Sequence, residues 1–309
     1  MVLFLAIDDW ANVAYSLAES LKSIGKPALA LTKKKHSYHY PKEAKVYSTP
    51  RELKKAAKKA DTIIWMHSKV TKVPTSGKKL LVFHGGSIYR RNPGKINRIF
   101  NPLVHASLIQ TGDLLSLGAK NEIWLQALVD TATIQPNFEK VSELKTVAHF
   151  PAIQRTKGTP KVYQVIEELK KSSVLKDKFR FISSGKNVSW KENIERMSKC
   201  DIYIDALQPE LKGKKYGEWG IAALEAAALG KIVVSHFLSY ERYLKEFGNC
   251  AIKHANSVEE LEKVLRNLIQ MNDDQMKEEK VGTREWVEKK HSLEVIGERL
   301  LDIINRIQL

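Results

Sequence analysis

Two cysteines, Cys200 and Cys250, are all that 309 residues supply. That is too few for a disulfide framework, and the chain reads as one that keeps free thiols in a reducing cytoplasm. No apolar run approaches the roughly 20 residues of a membrane-spanning helix. The opening MVLFLAIDDW has no basic leader and turns acidic at once, so it reads as a first strand, not a signal peptide. The phosphate-binding Gly-x4-Gly-Lys-Ser/Thr loop is missing, as is Gly-x-Gly-x-x-Gly after the first strand. These absences argue against a P-loop NTPase and a dinucleotide dehydrogenase, and no nucleophile elbow suggests a serine hydrolase. Of the histidines, the His36-x2-His39 pair lies in a tyrosine-rich loop without acidic companions, so no metal site is expected.

What the chain has in excess is positive charge, +16 in all. Residues 1–140 carry 22 Lys+Arg against 10 Asp+Glu, a net +12, and the remainder carries +4. The lysines cluster, as in Lys33-Lys34-Lys35, Lys54-Lys55 and Lys58-Lys59. Such a face suits phosphates, an anionic membrane surface or nucleic acid, and it equally suits a plain solvated surface.

Strands and helices alternate along both halves. Val2–Ile7 is an apolar strand, and Trp10–Ile24 has helical spacing up to Gly25. Further strand runs are Asp61–His67 and Leu80–His84, the latter ending at Gly85-Gly86. The pattern fades over about 126–144, where the domain junction is expected. It resumes with Thr146–Phe150, helix Val162–Lys170, strand Phe179–Ser183, helix Ser189–Lys199 and strand Asp201–Asp205. Two helical stretches, about 274–290 and 292–306, close the chain. This is an α/β chain of two doubly wound, Rossmann-like domains, spanning 1–140 and 141–290, with a terminal helix in 291–309 expected to cross back to the first. Ligands in such sheets bind beyond the C-terminal strand ends, and a cleft between two such domains is the default site.

Polar residues gather at those strand ends: Asp8-Asp9, His67-Ser68 and His84-Gly85-Gly86 in the first half, and Arg155 with Lys157-Gly158 and Lys186 in the second. The stretch Tyr216 to Ser235, YGEWGIAALEAAALGKIVVS, adds a Gly-rich turn, an alanine-rich helix, a helix stop at Gly230 and a β-branched strand. Its one carboxylate inside the helix, Glu225, is surrounded by aliphatic residues, and a charge there needs a partner or a purpose. Glycines admit a ligand to the backbone, Arg and Lys balance a diphosphate, and a carboxylate near a helix start accepts bonds from ribose hydroxyls. Together these describe a nucleotide-diphosphate site in the second domain.

The run Leu224-Glu225-Ala226-Ala227-Ala228-Leu229-Gly230-Lys231-Ile232-Val233 resembles the signature of family 4 (group 1) glycosyltransferases, which have the GT-B fold. HFPAIQRTKGTPKVYQVIEEL resembles that family's donor-domain turn, and SWKENIERMSKCDIYID the helix and strand before the signature. The resemblance covers about 145–235. It implies transfer of a sugar from a nucleotide-diphosphate donor to a saccharide, lipid-linked or protein acceptor, with retention of configuration. No cofactor is implied beyond that substrate, and protein cations rather than a metal stabilise the leaving diphosphate. Glu225 would then bind the ribose. Arg155 and Lys157, with the glycines Gly158 and Gly217, would hold the donor's diphosphate, with Lys186 and Lys231 as substitutes. His84 would lie near the transferred sugar. The family's second glutamate, eight positions before Glu225, is replaced here by Gly217, leaving Glu218 one step later as the catalytic candidate.

Simpler readings stand beside these. Asp8 and Asp9 can cap the helix that follows, Asp9 being otherwise a candidate acceptor residue. Arg90 and Arg91 are surface charge or acceptor-binding groups, and His84 can be a buried core histidine. The alternatives for the whole chain are a glycosyltransferase that modifies nucleic acid and a non-catalytic nucleotide-sugar-binding protein of the same fold.

Overall fold

The computed structural model describes residues 1–139, 142–185 and 187–308. Lys186, one of the substitute cations considered above, lies outside the described residues. The chain divides into two compact units, Met1–Asp130 with His291–Leu309, and Thr131–Lys290.

The first unit is built on seven strands: β1 (Val2–Ala6), β2 (Ala28–Thr32), β3 (Lys45–Val46), β4 (Thr62–Trp65), β5 (Lys79–His84), β6 (Ala106–Ile109) and β7 (Glu122–Trp124). They are ordered β3-β2-β1-β4-β5-β6-β7, and every recorded pairing is parallel. Central strands are apolar throughout because helices cover both sheet faces: β1 is buried at all five positions. The strand order reverses between β1 and β4. Right-handed crossovers therefore set helix Val13–Ser23 on one face and helices Pro50–Lys59 and Pro93–Phe100 on the other. Leu53 and Ala57 of the first of these, and Ile96 and Phe100 of the second, share one core with Leu3, Ile63 and Trp65. Helix Leu293–Arg306 packs on Val13–Ser23, closely enough at Gly297 that a Cβ would overlap the Ser20 carbonyl oxygen.

The second unit contains β8 (Lys145–His149), β9 (Phe179–Ser183), β10 (Ile202–Ala206), the small hairpin β11 (Glu210–Leu211) and β12 (Lys214–Lys215), β13 (Ile232–Ser235) and β14 (Lys253–His254). Its parallel sheet runs β14-β13-β10-β8-β9, with the order reversing between β8 and β10. The alanine-rich segment is helix Ile221–Ala228, and Gly230 follows its end with φ +70°. There Lys231 N–H bonds back to Ala226.

The stretch without pattern is pinned in two ways. Val129 donates to the His291 carbonyl and His291 Nδ1 bonds the Ala127 carbonyl, tying residues up to 129 into the first unit. Arg284 donates to the carbonyls of Thr131, Ile134 and Ala228, and Asn137 N–H donates to Leu229, tying the next residues into the second. The division thus falls after Asp130, earlier than the expected 140. Helix Trp10–Ile24 also starts later than its spacing predicts, at Val13, because Ala11 and Asn12 adopt left-handed backbone. Among the described residues, no helix is long and apolar enough to cross a membrane.

Candidate functional site

In open parallel sheets the crevice forms where strand order reverses, at the C-terminal strand ends. Each unit places polar residues there. In the second unit the reversal separates β8 from β10. After β8 the chain makes the short helix Gln154–Lys157 and turns at Gly158, φ +67°. A Cβ at Gly158 would overlap the Leu207 carbonyl oxygen, so only glycine lets this turn press on the loop after β10. Leu207 N–H completes the contact by donating to the Lys157 carbonyl at 2.9 Å.

Asp205, at the end of β10, is the hub. Its buried carboxylate accepts from Lys157 Nζ at 2.6 Å and from Gly220 N–H at 3.1 Å, joining the Gly158 turn to the start of helix Ile221–Ala228. Lys157 is therefore already neutralised by a partner that sequence reasoning missed. Arg155, on the same turn, is exposed and enters no ion pair among the described residues. Of the two cations expected to meet a diphosphate, Arg155 is the available one.

Glu225 is buried on this helix, where Trp190 Nε1–H donates to its Oε1 at 2.6 Å. Burial raises its carboxyl from 4.5 to about 7, the Trp190 bond opposing and the Asp205 charge adding to the rise. The lone carboxylate has a structural partner after all, at the first residue of helix Trp190–Ser198. Gly217 takes φ +60° in the loop before the helix, and a Cβ there would meet His236 Nε2 at 3.8 Å. The loop is anchored by Trp219, whose ring packs edge-on to Phe237, Tyr243 and Trp286. Glu218 is half-buried beside Cys250, whose thiol is pushed up to about 12 by burial and, in smaller part, by the Glu218 charge.

His236, one residue past β13, escaped the sequence reading. Its Nε2 lies 3.0 Å from the Tyr216 carbonyl oxygen and its Nδ1 lies 3.3 Å from the Ala206 carbonyl oxygen and 3.4 Å from Gln208 N, so one ring spans both ends of the excursion from β10 to Gly217. Burial lowers its pKa, which favours the neutral ring. The available signal was its position directly after a β-branched strand. Lys231, the other substitute cation, is buried and donates to the Asn137 carbonyl at 3.1 Å, at the opposite strand ends. A cavity of about 540 Å³ also opens at that N-terminal edge, beside Lys145, Asp201 and Lys280, away from the strand ends that bind ligands in such folds.

In the first unit the reversal separates β1 from β4. Asp9 follows β1, is buried, and accepts from Ala14 N–H at 2.7 Å and Tyr15 N–H at 3.0 Å, capping helix Val13–Ser23. His67, after β4, brings Nε2 to 3.5 Å from Asp9 Oδ1. His67 and Ser68 both hold left-handed backbone, φ +55° and +59°, a strain that surrounding structure must sustain. Ser68 Oγ lies 2.8 Å from His84 Nδ1. The His84 ring is fully buried, stacks on Tyr89 at 4.1 Å and has its pKa lowered to about 3 by that burial, so it is neutral at physiological pH. Arg90 is held by Asp113, through Nε at 2.6 Å and Nη2 at 3.1 Å, while Arg91 is exposed. The structure thus brings together Lys157, Gly158, Gly220 and Asp205 in one unit, and Asp9 with His67 in the other. His84 and Arg90 are drawn into packing and pairing. Among the described residues, no three of His, Cys, Asp or Glu group closely enough to hold a metal ion.

No family model and no curated protein sequence matches the chain. In fold it is similar to Anabaena HepE, solved with UDP and glucose, at TM-score 0.66 and 11% identity over 98% of this chain and 99% of that one. It is likewise similar to a trehalose-6-phosphate synthase studied for glycosyl transfer with retention, at TM-score 0.63 and 11% identity over 99% of both chains. It is similar to S. aureus TarM at TM-score 0.62 and 15% identity over 82% of this chain and 57% of that one. At such identities the likeness is one of fold, and the fold is GT-B: two Rossmann-like units.

Proposed function

We propose that the chain is a retaining hexosyltransferase of the family 4 type, taking its sugar from a nucleotide-diphosphate donor bound at the C-terminal strand ends of the second unit. The carrying observation is the Asp205 hub. It fixes the Gly158 turn and the start of helix Ile221–Ala228 together, leaving Arg155 exposed beside them and Glu225 within the helix. In this reading Arg155 and the first amides of the helix meet the diphosphate. Glu225 accepts from ribose hydroxyls with the oxygen that Trp190 does not hold. Lys157 positions the turn through Asp205 and does not bind phosphate itself. The UDP-glucose complex of HepE and the retention studied in the trehalose-6-phosphate synthase support the donor class and stereochemistry. Charge on the leaving diphosphate is stabilised by protein groups already in place.

The acceptor, a saccharide, a lipid-linked sugar or a protein, falls to the first unit, with Asp9 and His67 as polar groups at its switch point and Arg91 exposed on the short helix that follows β5. Turnover takes place in the cytoplasm, where Cys200 and Cys250 stay reduced. A second reading, a binding protein without turnover, is favoured by Gly217 in the place of the family's glutamate and by Glu218 lying beside Cys250. A thermal-shift screen with UDP-, GDP-, ADP- and TDP-sugars tests the proposal. A donor at a hundredfold its Kd stabilises the chain by about 2.7 kcal/mol, and Arg155→Ala abolishes most of that shift without lowering the unliganded melting temperature. If no nucleotide sugar moves the transition, the donor site is wrong. A shift without product on any acceptor selects the second reading.

A further inference from the structure

One outer face of the first unit carries cations that the donor reading does not use. Helices Pro50–Lys59 and Pro93–Phe100 lie on the same side of the sheet and share its core. The first turns Leu53 and Ala57 inward and Lys54, Lys55, Lys58 and Lys59 outward. None of these four lysines forms an ion pair with a described residue. Glu52 is paired with Lys45 at 2.6 Å, and Asp61 with the N-terminal amine. The second helix exposes Lys95 and Arg98.

At and just past the end of the second helix stands a pair of aliphatic side chains that the core does not take up. Ile99, on the helix, is 42% exposed and Leu103, in the turn that follows it, 44%, while their neighbours Phe100 and Val104 are buried. Cations alone would serve a nucleic acid as well as a bilayer. The aliphatic pair decides between them. Against a nucleic acid Ile99 and Leu103 would face phosphates and gain nothing, and the outward residues of the two helices include no aromatic ring on which a base could stack. At a bilayer the same pair enters the interfacial zone while long lysine side chains reach the headgroups.

We propose that this face docks the first unit on an anionic phospholipid bilayer, with the lysines on the headgroups and Ile99 and Leu103 inserted between them. The surface chemistry carries this independently of the donor site, so vesicle binding and nucleotide binding succeed or fail separately. The test is flotation of the full chain with vesicles of phosphatidylglycerol and phosphatidylcholine in equal parts, against phosphatidylcholine alone. The expected result is binding to the anionic vesicles only, released by salt near 0.5 M, where screening is short-ranged. Lys54→Gln with Lys58→Gln weakens the partition by roughly thirtyfold, and Ile99→Ser with Leu103→Ser by about tenfold or more. All four side chains are exposed, and unchanged melting temperatures show that the variants keep their fold. Equal binding to neutral vesicles, no vesicle binding, or anionic binding indifferent to the Ile99→Ser, Leu103→Ser pair would each overturn the proposal. So would lysine-dependent binding of an RNA duplex in place of vesicles.

Discussion

Glu225 is where stability and function pull against each other, and the conflict can be measured. An ordinary glutamate titrates at 4.5, whereas burial in helix Ile221–Ala228 moves this one to about 7. The folded chain therefore holds the proton more tightly than the unfolded chain does. Relative to a residue that does not titrate, the stabilising effect is full below pH 4.5 and is lost as the pH climbs to 7. At about 1.4 kcal/mol per pH unit, the loss across that window comes to about 3 kcal/mol. Glu225→Gln removes the titration and keeps an acceptor for Trp190 Nε1–H. The variant and the parent should match at pH 4, and the variant should be more stable by about 3 kcal/mol at pH 8. Urea unfolding of the full chain by far-ultraviolet circular dichroism measures both, and every other titrating group cancels in the comparison. Parallel stability curves from pH 4 to 8 would refute the reasoning. The functional side has the opposite sign: ribose hydroxyls bond best to an ionised carboxylate, so donor affinity of the parent should rise as the pH passes 7.

Two further outcomes test the framework around that site. Lys157→Met strands Asp205, whose side chain is 0% exposed, with the Gly220 amide as its one remaining hydrogen-bond donor among the described residues. It should cost about 3 kcal/mol, and Asp205→Asn in the same chain should restore part of it; urea denaturation of the double-mutant cycle reads the coupling, and additive losses would deny the pair any role. In the first unit, Gly297→Ala drives a methyl into the Ser20 carbonyl between helices Val13–Ser23 and Leu293–Arg306. A loss of about 2 kcal/mol or more is expected from overpacking, and an unchanged melting temperature would mean the helices separate freely.

The alternation of β-branched runs with helical spacing made both sheets legible, because each such run is a local pattern with a period of its own. Helix ends were legible where one residue decides them, as at Gly230, and less so where backbone strain intervenes, as at Ala11 and Asn12. Partnerships were not legible. Trp190 reaches Glu225 across 35 positions and Lys157 reaches Asp205 across 48, distances set by the strand order β13-β10-β8 and not by any repeat. Position after a strand marked Arg155, Lys157, His67, His84 and Asp9 alike. What separates them is the partner each one meets in the fold. Lys157 is answered by Asp205, Asp9 by two helix amides, and His84 by Ser68 and Tyr89, while Arg155 keeps its charge toward solvent. A buried charge in an apolar run reports that a cost exists. Only the topology tells whether a neighbouring side chain or an incoming ligand offsets it, and at Glu225 the raised carboxyl shows that Trp190 offsets it only in part. That residual cost is the physical reason to look for a ligand at Glu225 rather than at Lys157.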